Sequence, residues 1–113
     1  MDIRADWEAQ VFNEQEILVK VTVTLDTYSN YAGPAPLIIE LAGQSVTLET
    51  PAISYDDNTQ KTSLELGSHS FTVLLSEGCS CDLDLNVEWQ WGGRYGGIDI
   101  PVVECGGSLT VDR

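Results

Sequence analysis

Apolar residues return at every second position along most of this chain, and that period decides what it can fold into. The longest run, residues 16–28, reads EILVKVTVTLDTY, with Ile17, Val19, Val21, Val23 and Leu25 on one side and Lys20, Thr22, Thr24 and Asp26 on the other. Successive side chains of a strand point to opposite faces, so such a run has one face to bury and one to hydrate. Its β-branched residues suit a central strand. Residues 3–11 alternate in the same way through Ile3, Ala5, Trp7, Ala9 and Val11. No window of ten or more residues carries the i, i+3, i+4, i+7 spacing of an amphipathic helix. The expectation is an all-β chain.

The stretch 71–105 organises the rest. Phe71, Val73 and Leu75 share one face of a first run, Leu83, Leu85, Val87, Trp89 and Trp91 one face of a second, and Ile98, Ile100 and Val102 line a third. A cysteine-bearing turn and a glycine-rich turn separate the runs, which predicts a three-stranded antiparallel meander. Residues 29–36, with two prolines and a glycine, read as a loop. Residues 37–41 read as a strand, Ala42-Gly43-Gln44 as a turn, and 46–50 as the returning strand, which Pro51 ends or confines to an edge. Ile53 and Tyr55 extend it, 55–60 is a polar loop, and Leu64 and Leu66 form a short strand ending at Gly67. Residues 108–111 close the chain. The predicted core is Trp7, Val19, Val21, Val23, Leu48, Phe71, Val73, Leu85, Val87 and Ile100.

Short strands at regular spacing with turn signals between them predict a single domain over residues 1–113, a β-sandwich of about 7–9 strands. The segments PLIIELAGQSVTLET and KTSLELGSHSFTVLL resemble the middle of an immunoglobulin-like or fibronectin type III-like module, above all the surface-adhesion variety of microbial proteins. The resemblance covers roughly residues 37–91. It implies an antiparallel immunoglobulin-like sandwich and a bias toward binding or structural roles, and it brings no catalytic residue with it.

Eighteen Asp and Glu face five Lys and Arg, a formal charge of −13. A surface of that sign repels phosphate backbones and anionic headgroups, which argues against nucleic acid and membrane surfaces as partners. It is either a solvated acidic surface or an adaptation to high salt, where screening weakens self-repulsion; having only Lys20 and Lys61 as lysines leans toward a halophilic system. No apolar run approaches the roughly 18 residues that span a bilayer. The opening MDIRADWEAQ has neither the basic nor the apolar region of a signal peptide.

Three residue groups are candidates for chemistry. If the glycine-rich turn centres on Arg94 and Tyr95, Cys105 pairs roughly opposite position 84, at the end of the sheet that holds Cys79 and Cys81. Three readings stay open for these thiols: incidental side chains, a disulfide from Cys79 or Cys81 to Cys105, or a thiolate metal site lacking an obvious fourth ligand. The disulfide is the expectation. His69, the one histidine, reads as a turn residue remote from every cysteine, so a nucleophile–base pair is not expected. Asp56, Asp57, Asn58, Asp82 and Asp84 offer oxygen ligands, but their spacing matches no calcium loop. Trp91, Arg94 and Tyr95, flanked by paired glycines, form a projecting tip suited to binding a sugar ring or a partner's side chain.

Together these features predict a non-enzymatic structural or interaction module without a cofactor. It is expected to occur in many copies, or as a homo-oligomer, with other protein subunits of a larger assembly. A virion protein (capsid, decoration or tail) is the first expectation, because Met1 is followed by no signal sequence. The alternative is an extracellular carbohydrate- or protein-binding module of a microbial surface protein.

Overall fold

The computed structural model describes residues 2–95, 98–100 and 102–112, with the backbone alone for 93–95 and 98–100. Its elements are β1 (Asp2–Val11), β2 (Glu16–Thr27), β3 (Asn30–Ala32), β4 (Pro36–Leu41), β5 (Gln44–Glu49), β6 (Ile53–Tyr55), β7 (Thr62–Leu74), β8 (Ser80–Trp89), β9 (Gly93–Tyr95), β10 (Ile98–Ile100) and β11 (Val103–Asp112). There is no helix among the described residues, every strand pairing is antiparallel, and the fold is all-β.

Two sheets carry the core. One has the order β1-β2-β7 and the other β11-β8-β4-β5, while β3-β6 and β9-β10 are small two-stranded additions. β2 is central, as its β-branched run implies, and Ile17, Val19, Val21, Val23 and Leu25 are buried. They form one apolar cluster with Leu37, Ile39 and Leu41 of β4, Leu83, Leu85, Val87 and Trp89 of β8, and Phe71 and Val73 of β7. The sheets touch closely at Gly67, where an added Cβ would lie 3.2 Å from Leu48 Cδ1 and 3.3 Å from Leu37 Cδ2. Two antiparallel sheets over one shared core are consistent with a β-sandwich.

β4 and β5 form the expected hairpin. Ala42 (φ 52°) and Gly43 (φ 79°) both lie in the left-handed region, as the two-residue turn that matches strand twist requires. At the other end of the hairpin, Thr50 N–H donates to Ala35 O at 2.9 Å.

The meander is corrected in its first half, while its second, the antiparallel return onto the run 83–89, holds as β8–β11. β7 pairs with β2, Phe71 opposite Val19, whereas β8 pairs with β4 and β11. The cysteine-bearing segment 75–79 therefore crosses from one sheet to the other instead of closing a hairpin. β7 is also one long strand rather than two: its register steps from Val23↔Gly67 to Thr24↔Glu65, so Leu66 is an extra residue in a bulge. His69 consequently lies within β7, opposite Val21 and edge-on to Phe71 at 4.9 Å, and not in a turn. The segment read as a loop contains β3, which pairs with β6, and the last strand begins at Val103 rather than Ser108.

The predicted core holds for Val19, Val21, Val23, Phe71, Val73, Leu85 and Val87. Leu48 is half-buried. Trp7 is 39% exposed, because the inner face of β1 is covered only at its beginning: Ile3 is buried, Ala5 half-buried, and Val11 61% exposed. The side chain of Ile100 lies outside the described residues.

Candidate functional site

The aromatic tip separates into two parts. Trp91 is 7% exposed and stacks on the fully buried Trp89, with ring centroids 5.7 Å apart and planes inclined by 20°. An offset stack of this kind contributes about 0.5–1.5 kcal/mol beyond area burial, and it turns Trp91 into a core residue instead of a binding platform. Arg94 and Tyr95 lie on β9, where Tyr95 pairs with Ile98 and Arg94 with Asp99; their side chains lie outside the described residues.

The cysteines are not brought together. Cys105 pairs with Val87, and Cys81 with Val111, so their places along the β8–β11 ladder differ by roughly 20 Å. A disulfide needs its Cα atoms within about 7 Å, and all three thiols are free. The expected bridge is therefore corrected, and the reason is register. Arg94 and Tyr95 are strand residues of β9, not the centre of the turn, and Cys105 lies opposite Val87 instead of position 84. Cys79 sits exposed in a turn, its N–H donating to Ser76 O at 3.1 Å. Cys105 is half-buried, and that burial raises its thiol pKa above the usual value.

Most of the acidic loop and strand residues are engaged locally. Asp57 Oδ1 accepts from Thr59 Oγ1 at 2.6 Å, Thr59 N at 2.8 Å and Gln60 N at 3.2 Å. These bonds, the Thr59 hydroxyl first, hold its carboxyl below the ordinary range. Asp82 accepts from Thr110 Oγ1 at 2.6 Å and Asp84 from Ser108 Oγ at 3.2 Å, both across the β8–β11 pair. Among the described residues, no three His, Cys, Asp or Glu side chains group as metal ligands would.

What the fold does assemble is a side of the molecule that the sequence did not single out. Among the described residues, β1 pairs only with β2 and β11 only with β8, so each ends its sheet. The two edges flank a groove of about 340 Å³ lined by Ile3, Ala5, Trp7, Leu85, Cys105, Gly107 and Leu109 among others. Gly107 lies between Cys105 and Leu109 on the β11 face that turns toward the core, opposite Leu85. A Cβ added there would meet nothing within 4 Å, so the missing side chain leaves a notch. Its neighbour Gly106 is the reverse: a Cβ would fall 2.7 Å from Leu85 O, and only glycine fits.

A second apolar feature lies at one end of the β1-β2-β7 sheet. Val11 pairs with Ile17 and Leu74 with Glu16, which sets Val11, Phe12 and Leu74 around the same end. They are 61%, 57% and 77% exposed. The signal available in the sequence was alternation that runs on through Ala9 and Val11, with Phe12 directly beside them at the start of a polar turn.

No family model matches the chain, and neither a curated protein nor a solved structure is found similar to it.

Proposed function

We propose that this chain is a non-enzymatic structural module, an immunoglobulin-like β-sandwich that joins other protein subunits in a multi-copy assembly. The virion, as capsid, decoration or tail protein, is the assembly we favour. The observation that carries this reading is the exposure of Trp7, Val11, Phe12 and Leu74 on a chain of net charge −13. An acidic domain keeps itself soluble by surface charge, and large apolar side chains left exposed on it, with Trp7 and Val11 along the unpaired strand β1 and Phe12 just beyond it, are then a contact surface rather than chance exposure. The acidic excess suits concentrated salt, where screening lets like-charged copies approach within a few ångströms.

The carbohydrate-binding alternative loses its main support with Trp91 in the core. Measuring the mass of the native particle that contains the chain tests the proposal. A particle holding several copies, or copies with other subunits, is the expected result; a free monomer of 12.3 kDa in native material would overturn it.

A further inference from the structure

The side of the molecule between β1 and β11 has the features of a site for one more strand. Both edges are long, ten residues each, and every second backbone N–H and C=O along them faces away from the paired neighbour. The inner face of β1 is left open from Trp7 onward, and β11 carries a vacant side-chain position at Gly107 beside the buried Leu85 and Leu109. A strand paired with β11 would direct the side chain opposite Gly107 to this same inner face, because paired residues project to one side of a sheet. That side chain would occupy the notch, with Trp7 at its mouth.

Charge selects the occupant. The exposed carboxylates of Asp6 and Glu8 on β1 and of Glu104 and Asp112 on β11 border the two edges. Two cations lie near: Arg4 is engaged by Asp26 at 3.4 Å and Asp6 at 3.9 Å, and Lys20 pairs opposite Glu8, which leaves Glu104 and Asp112 as the carboxylates of the β11 edge. A second copy of this chain, docked edge to edge, would set its own acidic edges against these carboxylates.

We infer that the β1–β11 groove receives an extended segment of a partner protein in which apolar residues alternate with Lys or Arg. The segment adds to the β11 edge as a strand and seats one apolar side chain in the Gly107 notch. This rests on the assembly reading above and supplies the means of joining. Main-chain hydrogen bonds along the edge give affinity, the notch fixes register, and the acidic rim selects a basic segment.

The test uses the full chain, isotope-labelled, at about 0.15 M salt, where charges beyond roughly 8 Å are screened. The probes are capped peptides of about nine residues, enough to run along β11 at roughly 3.3 Å per residue. One alternates lysine with valine, a second glutamate with valine, and a third lysine with serine. The lysine–valine peptide should bind at least about tenfold more tightly than either of the others, with amide shifts confined to β1 and β11. Gly107→Val, whose side chain enters open space, should weaken that binding about tenfold while the melting temperature holds or rises. Trp7→Ser provides the same loss by a second route should the valine variant fold poorly.

Equal binding of the lysine–serine peptide, or undiminished binding by both variants, overturns the inference. No binding of the lysine–valine peptide, together with a multi-copy native particle, overturns the inference and leaves the assembly reading standing. A native monomer would remove the reading on which it rests.

Discussion

Thr50 shows how much one buried polar side chain can organise. It is 1% exposed, and its Oγ1 donates to Ala35 O at 3.2 Å while accepting from Ala35 N at 3.3 Å and from Trp89 Nε1 at 3.2 Å. The hydroxyl thus ties the entry to β4, the exit from β5 and the largest core side chain together. Thr50→Val keeps the shape but strands two buried N–H donors, and a buried donor left without a partner costs about 1–3 kcal/mol. The variant should lose about 2–3 kcal/mol, read as a lower denaturant midpoint at unchanged slope. Thr50→Ser, which retains the oxygen, should lose less. An unchanged midpoint for the valine variant would mean that Trp89 and Ala35 find other acceptors.

At the scale of elements, faces were legible and pairings were not. Alternation of β-branched residues identified the buried side of β2 because burial acts on each strand separately. It does not say which strand lies beside which. Residues 71–91 read as a hairpin because two amphipathic strands follow one another closely, yet a connection of that length can equally cross between sheets, and here it does. Trp7 was misassigned for a related reason: its alternation is regular, but β1 lies at a sheet edge and the opposite sheet covers only its first residues. The groove went unseen because a vacancy at Gly107 has meaning only once β11 is placed opposite Leu85. Leu66, as a bulged residue, broke the alternation and split β7 into two apparent strands.

The β8–β11 register has a consequence that chemistry can read. With Cys105 opposite Val87 and Cys81 opposite Val111, Cys105 is too far along the ladder to bridge to Cys81 or, beyond it, to Cys79. Thiol titration of denatured, unreduced protein should give three free thiols per chain. Under native conditions the exposed Cys79 should react before Cys105, whose burial keeps its thiol protonated to higher pH and so holds back the nucleophilic thiolate. A disulfide joining Cys105 to Cys79 or Cys81 would refute the register.

At the scale of the whole molecule, the chain measures 50 × 24 × 20 Å, elongated along its strands, with the two core sheets ending at β1 and β11 on one side. Everything proposed about its role depends on β7 belonging with β2 and β8 with β11 and β4, since that arrangement is what leaves those edges free. Backbone nuclear magnetic resonance with amide exchange tests it most directly. This pairing predicts interstrand contacts between Phe71 and Val19 and between Leu83 and Leu109, with alternate amides of β1 and β11 exchanging fast on their unpaired sides. Contacts between β7 and β8, or uniformly slow exchange along β11 in the isolated chain, would contradict it.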